Sequence, residues 1–203
     1  MKLYYMPGAC SLASHITLRE VGADFSLEKV NVKEQKTESG EDYSKVNPNG
    51  YVPSLRFDDG DILNEGVAVL QFLGEQYPDA KLLPAPGTRE RARVVQHLSF
   101  IGSELHKAFA PLFSDTLEGE ARSDAEAKVA KRMGYIENLL ADGRAFLTGD
   151  QFTIADAYLF VVANWTNFVN IDLGQWPNVA SFAKRVAARP TVEAAMKAEG
   201  LLQ

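Results

Sequence analysis

One cysteine, Cys10, stands in a chain of 203 residues. That excludes an intramolecular disulfide and the two-thiol chemistry of a Cys-x-x-Cys pair, so whatever Cys10 does involves an external partner. Histidine is nearly as scarce, at three residues, and no spacing among His15, His97, His106, the acids and the cysteine resembles a zinc or iron site. No Gly-x-Gly-x-x-Gly or phosphate-cradling loop is present. No apolar run approaches the roughly 20 residues of a membrane helix, and the N-terminal residues Tyr4, Tyr5, Pro7 and Gly8 break any secretory-leader pattern. Basic residues are outnumbered 21 to 27, and the resulting formal net charge of -6 repels a polyanion such as nucleic acid. These gaps together lead us to expect a cytoplasmic protein with no metal, no nucleotide, no membrane and no nucleic-acid partner.

What is present suffices for a substantial core, since 46% of the residues are hydrophobic, and the length lies near the boundary between one domain and two. Residues 2–6 read as a strand broken by Pro7-Gly8, and residues 11–21 as a helix ended by Gly22. Residues 25–32 suit a second strand, parallel to the first across that helix. After the turn Asn47-Pro48-Asn49-Gly50, residues 54–57 and 62–63 flank Asp58-Asp59-Gly60 as a hairpin. Residues 65–77 carry Val67, Leu70, Leu73 and Tyr77 at helical spacing. The punctuated stretch to Gly87 reads as a linker, and everything beyond as helix: about 88–115, 122–142, 153–170, 178–188 and 190–199. We therefore expect an α/β plus all-α chain of order β-α-β-β-β-α and then a helical bundle, with domains at 1–80 and 88–203 joined by 81–87.

Cys10 falls at a helix entrance, where unpaired backbone N–H groups and the helix dipole favour a thiolate. The same residue also suits a small buried apolar position. Ser11 is either a rival nucleophile or a plain helix cap, and Tyr4 or Tyr5 offers a hydroxyl. Val52-Pro53 follows a turn and precedes a strand, a context in which a cis bond would turn the Val52 backbone groups toward an extended peptide-like ligand. Asn64-Glu65-Gly66 opens a helix whose N–H groups suit a carboxylate, while Glu65 suits an ammonium. Ser99, Ser103 and His106 form a polar face beside the apolar stripe Val95, Leu98, Leu105 and Leu112, with Glu104 and Lys107 on its flanks. His106 is suited to tuning a nearby thiolate, whereas His15 and His97 have no comparable company. Thr153 with Asp156 three residues on is a helix-start signature, with Phe152 placed to staple onto Ala157.

Five separated segments carry a resemblance: Pro7-Gly8-Ala9-Cys10-Ser11-Leu12; Val46-Asn47-Pro48 with Gly50-Tyr51-Val52-Pro53; Glu65-Gly66-Val67-Ala68; Ser103-Glu104-Leu105-His106-Lys107; and Thr153-Ile154-Ala155-Asp156-Ala157-Tyr158-Leu159-Phe160. On these the chain resembles a bacterial beta-class glutathione S-transferase along essentially its whole length. The resemblance implies a thioredoxin-like glutathione-binding domain, a helical domain that receives a small hydrophobic electrophile, and a homodimer. It implies that Cys10 contacts the glutathione sulfur with His106 close by, both catalytic. Val52, preceding Pro53, would pair with the cysteinyl backbone, while Glu65 and Gly66 take the γ-glutamyl end. Gln35 stands where relatives often carry Lys, Ser99 where they often carry Asn, and Ser14 where many carry Pro. Gln35, Ser99, Ser103, Glu104 and Lys107 complete the implied glutathione set. Phe109, Phe113, Tyr158, Trp165 and Phe168 are the implied electrophile pocket, each also readable as aromatic core. The activity implied is conjugation of the glutathione thiolate to an electrophile. The alternatives are a glutathione-dependent disulfide oxidoreductase or reductive dehalogenase using Cys10, and a non-catalytic transferase-like binding module.

Overall fold

The strands β1 (Lys2–Tyr5), β2 (Ser26–Asn31), β3 (Lys36–Thr37), β4 (Ser54–Arg56) and β5 (Ile62–Asn64) form one sheet in the order β3-β2-β1-β4-β5, in a computed structural model that describes residues 1–202. β1 lies in the middle, parallel to β2 with Leu3 opposite Leu27, and antiparallel to β4 with Leu3 opposite Leu55. The parallel pairing of β1 with β2 and the antiparallel pairing of β4 with β5 follow from their connections. A helix, α1 (Ser11–Glu20), carries the chain across to the parallel strand, whereas β4 and β5 are joined by the tight turn at Asp58-Asp59-Gly60. The alternation of β1 is visible in its packing. Leu3 and Tyr5 join Leu18 of α1, Leu55, and Val69 and Leu73 of α2 (Gly66–Gln76), while Tyr4 joins Val30, Tyr43, Val46 and Val52 on the opposite face. Burying each such side chain is worth roughly 1.5–3 kcal/mol.

Contacts cluster the chain into two units, Met1–Leu83 with the segment from Ala188 onward, and Pro84–Ala187. The first unit therefore includes α8 (Pro190–Ala198), which packs on α1. Arg189, just before α8, donates from its Nε and a terminal nitrogen to the two oxygens of Glu20, each at 2.7 Å, and the Thr191 hydroxyl donates to the same carboxylate. A forked pair of this kind fixes direction as well as distance.

The second unit holds α3 (Arg89–Phe100), a π-helical turn Ile101–Leu105, α4 (His106–Phe109), α5 (Gly119–Leu140), α6 (Ile154–Asn164) and α7 (Pro177–Ala187). α6 is its centre, buried from Ile154 to Ala163. The cap expected at its start is present: the wholly buried Asp156 carboxylate accepts from the Thr153 N–H at 2.8 Å, the Thr153 hydroxyl at 2.6 Å and the Leu147 N–H at 2.8 Å.

The helix expected over 153–170 is α6 followed by the 3-10 turn Trp165–Asn167, and two further details differ from the sequence expectation. β3 was not anticipated, because two residues carry no readable period; it pairs antiparallel with β2 through Val30 opposite Thr37. The continuous helix expected over 88–115 is α3, a π turn, α4 and then the tighter 3-10 turn Ala110–Phe113, where Pro111 lacks the N–H that an α-helix needs. The extra residue of the π turn shifts the side-chain phase. The fully buried residues along this stretch are Val94, Leu98, Ile101, Leu105 and Phe109, while Val95 is only half-buried.

Replacing Asp156 by Ala strips the partner from three donors, two of them backbone amides, and should cost about 3 kcal/mol. Thermal unfolding should then shift down by roughly 6–12 °C for a chain of this size. A variant that melts within about 2 °C of the parent would contradict this role for the carboxylate.

Candidate active site

On the first unit, Cys10 is the N-cap residue of α1, with φ -56° and ψ -22°, and is half-buried. Its thiol donates to the Val52 carbonyl at 3.2 Å, and the Val52–Pro53 bond is cis. The thiol thus stands where the helix presents its unpaired N–H groups, the arrangement that favours an anion.

The loop that carries Cys10 is fastened from both sides. Gly8 has φ 71°, a conformation that favours glycine, and its N–H donates to Glu199 Oε2 at 3.0 Å. The other Glu199 oxygen lies 2.8 Å from His15 Nδ1, and Arg19 Nε donates to His15 Nε2 at 2.9 Å. His15, expected to stand apart, is therefore central to a buried network; its partner lies 184 residues away in sequence, beyond any local signal. Ser11 is wholly buried, its Oγ accepting from the Met6 N–H at 3.2 Å and donating to the Met6 carbonyl at 3.3 Å. It closes the turn and presents no nucleophile. The Tyr4 hydroxyl is committed to Glu41 at 2.9 Å, and burial pushes that phenol's pKa up.

Nearby on this unit, Glu65 caps α2 at φ 69°, an uncommon conformation for a residue with a side chain. Its carboxylate is exposed and accepts from the Tyr51 hydroxyl at 3.0 Å, which raises the Tyr51 pKa. A Cβ added at Gly66 would meet Pro53 at 3.5 Å, ordinary contact, so the chain's own packing does not demand glycine there. Gln35 is turned inward: its Nε2 donates to the carbonyls of Val32 at 2.6 Å and Gly50 at 2.9 Å, tying two loops together. Its amide hydrogens are thereby occupied, and Lys33 and Lys36 beside it are exposed.

On the second unit, the π turn sets Ser103 and Glu104 outward while Ile101 and Leu105 point into the core. Ser103 donates to the Ser99 carbonyl at 2.8 Å, Glu104 accepts from Arg132 at 2.8 Å, and Lys107 is exposed. His106 is half-buried, with Nδ1 2.6 Å from the Tyr158 hydroxyl and its ring edge-on to Trp165 at 4.6 Å between centroids. Burial, and then the neighbouring Lys107 charge, push its pKa down to about 4, so the ring is neutral near pH 7. Phe109 and Phe113 also meet Trp165 edge-on, at 5.9 and 5.4 Å. Of the five aromatic residues expected to line a pocket, Phe109, Tyr158 and Trp165 are buried, while Phe113 and Phe168 are exposed. Among the described residues no group of His, Cys, Asp and Glu side chains converges as a metal site, and no helix is long and apolar enough to cross a membrane.

A thiol at the first helix entrance of a β-α-β sheet unit, beside a cis-proline segment and followed by a helical bundle, defines a thiol-centred class of two-part proteins. The comparisons are more specific. Residues 8–76 match the family model for the glutathione S-transferase N-terminal domain, and residues 100–190 that for the C-terminal domain. The chain is 45% identical over 201 residues to glutathione S-transferase GstA of Escherichia coli O157:H7, covering 99% of this chain and 100% of that protein. A bacterial beta-class glutathione S-transferase from Sphingomonas chungbukensis superposes with a TM-score of 0.95 at 46% identity, covering 100% of both chains. A sphingomonad glutathione S-transferase complexed with glutathione superposes with a TM-score of 0.94, also at 46% identity and 100% coverage of both chains. The chain belongs to the glutathione S-transferase family, and its likeness is to the bacterial beta class.

The lowered His106 value has a measurable consequence. The folded value of about 4 lies below the ordinary 6.5, so the folded chain binds this proton more weakly than the unfolded one. The stability linked to the neutral ring is complete above pH 6.5 and is lost as the pH falls through 4, a change on the order of 3 kcal/mol. Proton NMR should place the His106 midpoint near pH 4; a midpoint at 6 or above would refute the burial argument.

Proposed function

We propose that this chain conjugates the thiolate of glutathione to small hydrophobic electrophiles, with Cys10 meeting the glutathione sulfur. The observation that carries the proposal is Cys10 itself, the N-cap of α1, within 3.2 Å of the Val52 carbonyl. Glutathione is an extended tripeptide, and the roles follow its parts. Val52, preceding Pro53, offers backbone groups to the cysteinyl residue, and the exposed Glu65 carboxylate with the N–H groups at Gly66 takes the γ-glutamyl ammonium and carboxylate.

Binding one reactant in a fixed pose turns a bimolecular encounter into a positioned attack, and the helix N-terminus lowers the cost of the thiolate. His106, neutral and braced by Tyr158, contributes an uncharged hydrogen-bonding group. Its Nδ1 lies 2.6 Å from the Tyr158 hydroxyl, which orients the ring. Ser99, Ser103, Glu104 and Lys107 are assigned to glutathione as a polar rim. Phe113 and Phe168, exposed above the buried Phe109, Tyr158 and Trp165, are assigned to the electrophile. Gln35 acts through the Val32 and Gly50 loops that it ties. The proposal includes a domain at 1–80 and, after residues 81–87, a helical domain from 88 whose segment from Ala188 onward groups with the first unit, together with a homodimer and a cytoplasmic setting in which a lone thiol stays reduced.

The initial rate of glutathione conjugation to 1-chloro-2,4-dinitrobenzene tests this. Intact protein should exceed the protein-free rate, and Glu65→Gln should raise the KM for glutathione at least about tenfold, the scale for losing one charged contact. A rate equal to the protein-free control would overturn the proposal.

A further inference from the structure

α3 and the turn after α5 wall a cleft of about 590 Å³ in the helical unit, lined by Arg89, Glu90, Arg93, His97, Tyr135 and Arg144 among others. Three guanidiniums and one carboxylate line it, in a chain whose formal net charge is -6. Arg144 is pinned: Asp142 holds it at 2.5 Å, and it donates to the Leu147 carbonyl at 3.1 Å. Arg93 donates at 2.8 Å to Gln96, a neutral group, and among the described residues neither Arg89 nor Arg93 has a carboxylate within ion-pair distance.

The second observation is His97. It lines the cleft, is only 4% exposed, and its Nδ1 is buried with no hydrogen-bond partner. Leaving such a group unmatched costs about 1–3 kcal/mol, which a ligand reaching the nitrogen would recover. Burial, then the charges of Arg144 and Arg93, lower the His97 pKa, so both guanidiniums act at the ring.

We propose that this cleft binds a phosphate monoester of a small organic molecule. Two guanidiniums without a carboxylate partner, those of Arg89 and Arg93, match a doubly charged phosphate monoester better than a singly charged carboxylate, while Arg144, held by Asp142, walls the cleft beside them. The volume leaves far more room than a bare phosphate fills, and Tyr135, Leu139 and Leu147 line it as an apolar wall for the organic part. The site is independent of the proposed conjugation, since none of its residues belongs to that machinery.

The three histidines make NMR of their ring protons a direct readout, with His97→Gln assigning the signal. Phenyl phosphate should move the His97 signal saturably, with a Kd below about 1 mM, and leave those of His15 and His106 in place. Inorganic phosphate should move the same signal at least about tenfold more weakly, because it lacks the apolar contacts. Arg89→Gln and Arg93→Gln, both exposed and therefore expected to melt like the parent, should each weaken phenyl phosphate binding about fivefold or more while the conjugation rate stays at the parent level. An unmoved His97 signal, equal affinity for the two probes, or unchanged binding by both arginine variants would overturn the proposal. So would a change of oligomeric state in these variants without phenyl phosphate binding in the parent, which would assign the cleft to a contact between copies.

Discussion

A carboxylate taken wholly out of water, that of Glu199, holds the part of the structure on which the rest of the first unit turns. One oxygen takes the Gly8 N–H and the other faces His15 Nδ1, so the last helical segment fastens the loop between β1 and α1. Removing one partner of a buried charged contact typically costs about 3–5 kcal/mol. With Gly8 held, Ser11 closes back on Met6 and Cys10 is left at the helix entrance against the Val52 carbonyl. The forked pair of Glu20 with Arg189 secures the other end of the same two helices. Residues at opposite ends of the chain thereby determine where one thiol stands.

The helical unit is organised by a comparable constraint, the π turn at Ile101–Leu105. One additional residue in the turn lets Leu105 and Phe109 reach the core while His106 meets Tyr158 and Trp165. Burial among these rings, more than any charge partner, keeps His106 neutral. The same rings support Phe113, which is exposed.

Much of this was legible from sequence where the signal is local. The Pro7-Gly8 break, the turn before Val52, the hairpin and the Thr153–Asp156 cap all lie within a few residues of what they direct, and each is found where expected. Reading failed where the cause is distant or aperiodic. A two-residue strand has no alternation to detect. Val94 and Val95 both keep helical spacing to Leu98, so the period alone does not say which of them α3 buries. Glu199 is separated from Gly8 by 191 residues, and the side chain of Gln35 turns inward for reasons that only the Val32 and Gly50 carbonyls explain. His97 lies one helical turn after Arg93 on α3, but its other cationic neighbour, Arg144, comes from beyond α5, where no local signal reaches.

The placement of glutathione at Cys10 is open to one direct measurement: exposure of the reduced protein to oxidised glutathione, followed by intact mass and peptide mapping. The Cys10 thiolate would attack one sulfur of that disulfide, forming a mixed disulfide and releasing one glutathione thiolate. A single glutathionyl adduct mapped to Cys10, suppressed by excess reduced glutathione, is the expected result. A thiol that stays unmodified while a small uncharged disulfide reagent labels it readily would contradict a glutathione site at Cys10.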